Sequence, residues 1–81
     1  MWEPRALDAL EELAEHMPAA ARDALRAMER MASTGFNYGR LTRDGVLWYL
    51  PTPKLGLFYT DDGRTLTVVD VVDARRLRKL P

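Results

Sequence analysis

The side chains with the greatest capacity for chemistry in this sequence are its cations. Arg40, Arg43, Lys54, Arg64, Arg75, Arg76, Arg78 and Lys79 lie from position 40 onward, four of them within residues 75–79. Each can pair with a phosphate or with a carboxylate on a protein. Cleavage of RNA through its 2′-hydroxyl needs a proton acceptor, a proton donor and a positive clamp on the phosphate. The cations supply the clamp. The single histidine, His16, follows the acids Glu11, Glu12 and Glu15 and reads as a helix-end residue, far along the chain from the basic region. Tyr59 lies in a strand-like run and is expected to pack, with contact to RNA as the lesser alternative. For the basic tail, binding to a protein partner is the preferred reading; nucleic acid and a merely solvated surface stay open, because charge alone does not separate them.

Other groupings carry less. Asp61 and Asp62 precede Gly63 in a turn-like stretch, where an aspartate satisfies its own backbone. Asp70 and Asp73 fall on opposite faces of a regular strand, so they do not share an ion. Trp48 and Tyr49 also alternate, which denies them a common stacking platform; Trp48 is expected in the core, and Phe36 and Tyr38 stay open as base-stacking candidates. The run YGRLTRDG at 38–45 holds two arginines without phosphate-loop glycine spacing. There is no cysteine, so disulfides, thiol catalysis and thiolate-bound zinc are excluded. Neither a metal nor another cofactor is expected.

The chain has 81 residues, 47% hydrophobic and 30% charged, with zero net charge. That is the mixture of one small globular domain, residues 1–81, without strong nonspecific attraction to nucleic acid. The charge is unevenly spread. Residues 1–16 set one arginine against five acids, whereas residues 64–81 set five cations against two. No apolar run approaches the roughly 20 residues needed to cross a bilayer, and no leader pattern is present. The expectation is a soluble cytoplasmic protein that touches no membrane.

Periodicity supplies the elements. Leu7, Leu10, Leu13 and Ala14 recur at helical spacing, predicting a helix over 4–15 with Pro4 in its first turn and Glu3 and Asp8 at the positive end of its dipole. Pro18 starts a second helix over 18–33, with Ala21, Leu25, Met28 and Ala32 as its core stripe. Small alanines let the two helices form a hairpin. After Ser33-Thr34-Gly35 the stretch to Leu41 is expected as loop, and the period then becomes extended. Residues 46–50, 55–60 and 65–72 read as three antiparallel strands, separated by Asp44-Gly45 turning into the first, by Pro51-Thr52-Pro53 and by Asp61-Asp62-Gly63-Arg64. The tail from Ala74 is expected as a short helix or strand with Leu77 and Leu80 turned inward. The fold class is therefore α+β, an N-terminal helical hairpin packed on a small, mainly antiparallel sheet of at least three strands.

This order of elements resembles the RelE/ParE superfamily of small toxins from bacterial toxin–antitoxin pairs. The resemblance rests on WEPRALDALEEL (2–13), the proline-started second helix, GVLWYL (45–50), GLFY with TDDG (56–63), and TLTVVDVV running into DARR (65–76). It implies a type II toxin-like component whose partner is a cognate antitoxin, with the ribosome and its mRNA or DNA gyrase as targets. Two departures bear on activity. The family carries a complete first strand through the middle of the sheet, where this chain has only Met1 to Glu3. The family's ribosome-dependent ribonucleases place an arginine where Gly56 stands, a tyrosine matching Tyr59, and an aromatic or histidine after the basic segment, where Leu77 and Leu80 stand. Tyr59, Arg75 and Arg76 are the remaining catalytic candidates, which leaves open whether the chain is an enzyme. The alternatives are an mRNA endoribonuclease and a catalytically inactive interaction module, with a homodimer that completes its sheet through a second copy as one form of the latter.

Overall fold

The computed structural model describes residues 1–77, with side chains through Arg75. Arg78, Lys79 and Leu80 lie outside the described residues. Two helices, α1 (Pro4–His16) and α2 (Pro18–Thr34), precede the strands β1 (Arg40–Leu41), β2 (Trp48–Pro51), β3 (Leu55–Asp61) and β4 (Leu66–Asp73), and a single helical turn, α3 (Ala74–Leu77), follows. The four strands form one antiparallel sheet in chain order. The α+β arrangement of a helical hairpin on an antiparallel sheet is thus present.

Proline opens both helices, and its missing N–H would have no intrahelical partner there in any case. Of the two acids expected at the positive end of α1, Glu3 stands there as the N-cap residue, without a side-chain capping bond, whereas Asp8 is corrected because it lies beyond the first turn. Helix α2 ends at Gly35, whose left-handed φ of 74° lets its N–H return to the Met31 carbonyl at 3.0 Å. The core stripe of α2 is also corrected. Ala20, Ala21, Ala24, Met28 and Met31 are buried, whereas Leu25 is half-buried and Ala32 exposed. In α1, Ala6 and Leu10 are buried and Leu7 turns outward. Small residues occupy the fully covered helical positions, and the bulk comes from Met28, Met31 and the sheet.

The sheet buries one face by alternation. Leu55, Leu57 and Tyr59 of β3 and Val68 of β4 have no exposed surface, and with Leu50 and Val71 they join the buried helical residues in one cluster. Trp48 packs against that cluster but is only half-buried. The strand expected at 46–50 begins at Trp48, since Val46 and Leu47 belong to the turn that Asp44 organises. The stretch before Leu41 is not all loop: Arg40 and Leu41 pair with Tyr49 and Trp48 as a fourth strand. Between Phe58 and Tyr59 the β3–β4 register shifts, Phe58 facing Asp70 and Tyr59 facing Val68, so Val69 is an extra residue in β4. The first three residues add a short parallel segment beyond β4. Val68 N–H donates to the Met1 carbonyl at 2.9 Å, and Glu3 N–H donates to the Val68 carbonyl at 3.0 Å. This stub lies at the edge of the sheet, not through its middle.

Candidate functional site

The turn from β2 to β3 and the end of β4 meet at one end of the sheet. Pro53 sets the turn, and Lys54 completes it at φ 70°, a left-handed conformation that costs an L-residue about 1–2 kcal/mol. Its carbonyl accepts the Ala74 N–H at 2.9 Å, which ties the turn to the start of α3. An open groove results, lined by Tyr49, Pro51, Thr52, Pro53, Lys54, Ala74 and Arg75. Lys54 and Arg75, 21 positions apart in sequence, thus share one site. Asp73 holds Arg75 bidentately, accepting from Nε at 3.1 Å and from Nη2 at 2.8 Å. Those hydrogen bonds and the charge behind them push the guanidinium pKa up, so Arg75 is a fixed cation with part of its charge compensated. Lys54 is exposed.

The other basic candidates are dispersed. Arg40 stands in β1 on the outward face of the sheet, opposite Tyr49. Arg43 occupies the β1–β2 turn, and Arg64 the β3–β4 turn at the far end of β3 from Lys54. Asp44 builds the first of these turns by accepting from Thr42 Oγ1 at 2.6 Å, Val46 N–H at 2.9 Å and Leu47 N–H at 3.1 Å. Asp62 builds the second, accepting the N–H groups of Arg64 and Thr65 at 2.8 and 2.7 Å. These bonds favour the ionised forms and hold both carboxyls below the ordinary aspartate value. His16 ends α1. The described cations therefore form no single clamp, and Arg76 is described by its backbone alone.

Tyr59 sits in a closed polar knot. Its side chain is fully buried, and its hydroxyl donates to Asn37 Oδ1 and lies 3.8 Å from Met31 Sδ. Burial pushes its pKa up. Asn37 also accepts the Gly39 N–H at 2.9 Å through Oδ1 and donates through Nδ2 to Asp61 at 2.9 Å. One amide thereby fastens the 35–39 segment to β3. Sequence reasoning overlooked Asn37. The available signal was an amide between two aromatics in GFNYG, a segment that crosses the end of a sheet and must satisfy its own backbone there.

The outward face of the sheet carries a second constellation. Arg40, Tyr49, Phe58 and Asp70 are successive cross-strand partners and form one row over all four strands. The Tyr49 and Phe58 rings are tilted by 50° with centroids 5.0 Å apart. Tyr49 also roofs Gly56, where a Cβ would lie 2.5 Å from the tyrosine ring. A side chain at this position, where the family resemblance expects an arginine, would therefore have to displace the Tyr49 ring. Trp48 points to the opposite, helix-covered face, as alternation requires. Phe36 and Tyr38 remain exposed, their ring centroids 6.2 Å apart. Asp70 and Asp73 do not converge: one lies 3.9 Å from Arg5 and the other holds Arg75.

Among the described residues no group of three or more His, Cys, Asp or Glu is placed to hold a metal ion, and no helix is long and apolar enough to cross a membrane. Comparison with protein-family models, with curated proteins and with solved structures finds no match.

Proposed function

We propose that this protein is a toxin-like component of a bacterial type II toxin–antitoxin pair that works by holding another macromolecule, its cognate partner being an antitoxin with an acidic segment. The observation that carries this reading is the groove in which Lys54 and Arg75 meet beside Tyr49, Pro51 and Pro53. Two cations, an aromatic ring and two prolines suit an extended acidic chain, with the cations taking carboxylates and the rings taking apolar side chains. The basic residues that follow in sequence, Arg76, Arg78 and Lys79, extend the same charge. The groove is poorly equipped for proton transfer, because Arg75 binds the Asp73 carboxylate and the lining offers no other carboxylate or imidazole.

The enclosure of Tyr59 and the roofing of Gly56 favour a second reading, a catalytically inactive interaction module, over a ribosome-dependent ribonuclease. Both positions are those at which the resemblance would aim side chains at RNA. Induced expression in bacteria separates the readings when growth, total protein synthesis and plasmid supercoiling are followed together. Growth arrest with falling translation identifies action at the ribosome, and arrest with altered supercoiling identifies gyrase. Normal growth at verified soluble expression overturns the toxin-like reading in favour of the inactive module.

A further inference from the structure

The row Arg40, Tyr49, Phe58, Asp70 is polar along its length: a cation in the first strand of the sheet, an anion in the last, and two aromatic rings between them. Three strand spacings separate its ends by about 14 Å. Both long helices pack on the opposite face, as the complete burial of Leu55, Leu57 and Tyr59 records, while Tyr49, Phe58 and Val72 on this face are only half-buried. Among the described residues the Arg40 side chain makes no hydrogen bond or ion pair, and the one ion pair of Asp70 is the long contact to the largely exposed Arg5.

We infer that this face is a self-complementary docking surface for a second copy of the chain, paired about a twofold axis that runs along the strands between Tyr49 and Phe58. Charge selects this occupant and this axis. A rotation about the strand direction sets Arg40 of each copy against Asp70 of the partner subunit, and Tyr49 of each against Phe58 of the partner subunit. A rotation about the row itself would set arginine against arginine and aspartate against aspartate. The selected axis keeps the strands of the two sheets nearly aligned, the common geometry of face-to-face sheet packing. An isologous contact makes every pair twice, so one complementary row closes two ion pairs around four rings. The cationic grooves then stand at the same end of the interface, where Asp73 tempers the charge of Arg75. The face measures about 23 Å along β3 and about 14 Å across the row, roughly 300 Å² in projection on each copy, which is below the size of stable specific interfaces, so the pairing is expected to be weak and transient.

The test uses the purified full chain alone, and its result is independent of whether the chain is toxic or binds an antitoxin. Sedimentation equilibrium over about 1–300 µM is expected to show a monomer–dimer equilibrium for the unsubstituted chain. Arg40→Glu and Asp70→Arg should each weaken the dimer at least about 10-fold, because each turns two attractions into two repulsions. Mixing the two variants in equal amounts should restore a dimer, since every pair across the interface is then opposite in sign. Asp70 also accepts the Val71 N–H at 2.9 Å, so circular dichroism is needed to show that Asp70→Arg is folded. Should it be unfolded, Arg40→Glu compared with Arg40→Lys decides, with lysine expected to preserve the dimer. A chain that is monomeric throughout, including one whose own C-terminal residues cover the face, overturns the inference. So does a dimer indifferent to Arg40→Glu.

Discussion

At the scale of single residues, two side chains show how local chemistry limits function. Tyr59 donates its hydroxyl to Asn37 while its ring fills the core, so its first role is to join a loop to a strand. Tyr59→Phe keeps the ring and loses that bond, and Asn37 Oδ1 retains the Gly39 N–H. The expected cost is about 1–2 kcal/mol of folding stability, read by urea denaturation, with no change in binding by the groove. Lys54 has the opposite character, an exposed charge held in a left-handed conformation. Lys54→Gly relieves that strain at some cost in unfolded-state entropy, so stability should stay level or rise by up to about 1 kcal/mol. Affinity for an acidic peptide should fall with the lost charge. A stable Lys54→Gly variant that binds such a peptide unchanged would remove Lys54 from the site.

At the scale of elements, close approach and turn chemistry decide how the strands are joined. Gly39 lets the 35–39 segment pass against the Tyr59 hydroxyl, and a Cβ there would also lie 2.9 Å from the Tyr49 carbonyl oxygen. Gly39→Ala must displace backbone or the Tyr59 ring, with an expected loss of about 1–3 kcal/mol in denaturant titration. The turns built by Asp44 and Asp62 have a pH signature. Both carboxyls titrate lower in the folded chain than in the unfolded one. Their stabilisation is complete above the unfolded value, near pH 4, and is lost as the pH falls through the lower folded values. The double variant Asp44→Asn/Asp62→Asn should therefore lose less of its melting temperature between about pH 4 and pH 2 than the unsubstituted chain does.

At the scale of the whole molecule, 81 residues leave little reserve. A domain of this size has about 4–12 kcal/mol of stability in total. Its core draws on alanines and two methionines from the helices and on Leu55, Leu57, Tyr59 and Val68 from the sheet. Trp48 closes one flank of that core while remaining half-buried. Trp48→Ala is expected to cost about 2–3 kcal/mol, less than the 3–5 typical of a fully buried tryptophan. The same incomplete coverage leaves the outward sheet face open, so stability and association draw on one surface budget. Calorimetry of Trp48→Ala gives the size of the core term without touching that outward face.

The sequence by itself determined the two long helices and the three longer strands, though not the short strand β1. Proline at 4 and 18 placed the helix starts, Gly35 placed a helix end, and alternation placed Trp48 and Tyr49 on opposite faces, because each of these depends on a residue's own backbone preference or on the strand period. Aspartates before glycine marked the turns on the same local grounds. Only the tertiary structure decided which face of α2 is buried, because Ala20, Ala24 and Met31 belong to a cluster completed by the first helix and the sheet. Contacts between distant residues were likewise unreadable: Lys54 with Arg75, Asn37 with Tyr59, and the first three residues with Val68. Periodicity describes one element at a time, whereas a binding site is made where several elements end together. The row from Arg40 to Asp70 makes the same point, since it exists only through the register of four strands, and register is set by packing and by the extra residue in β4.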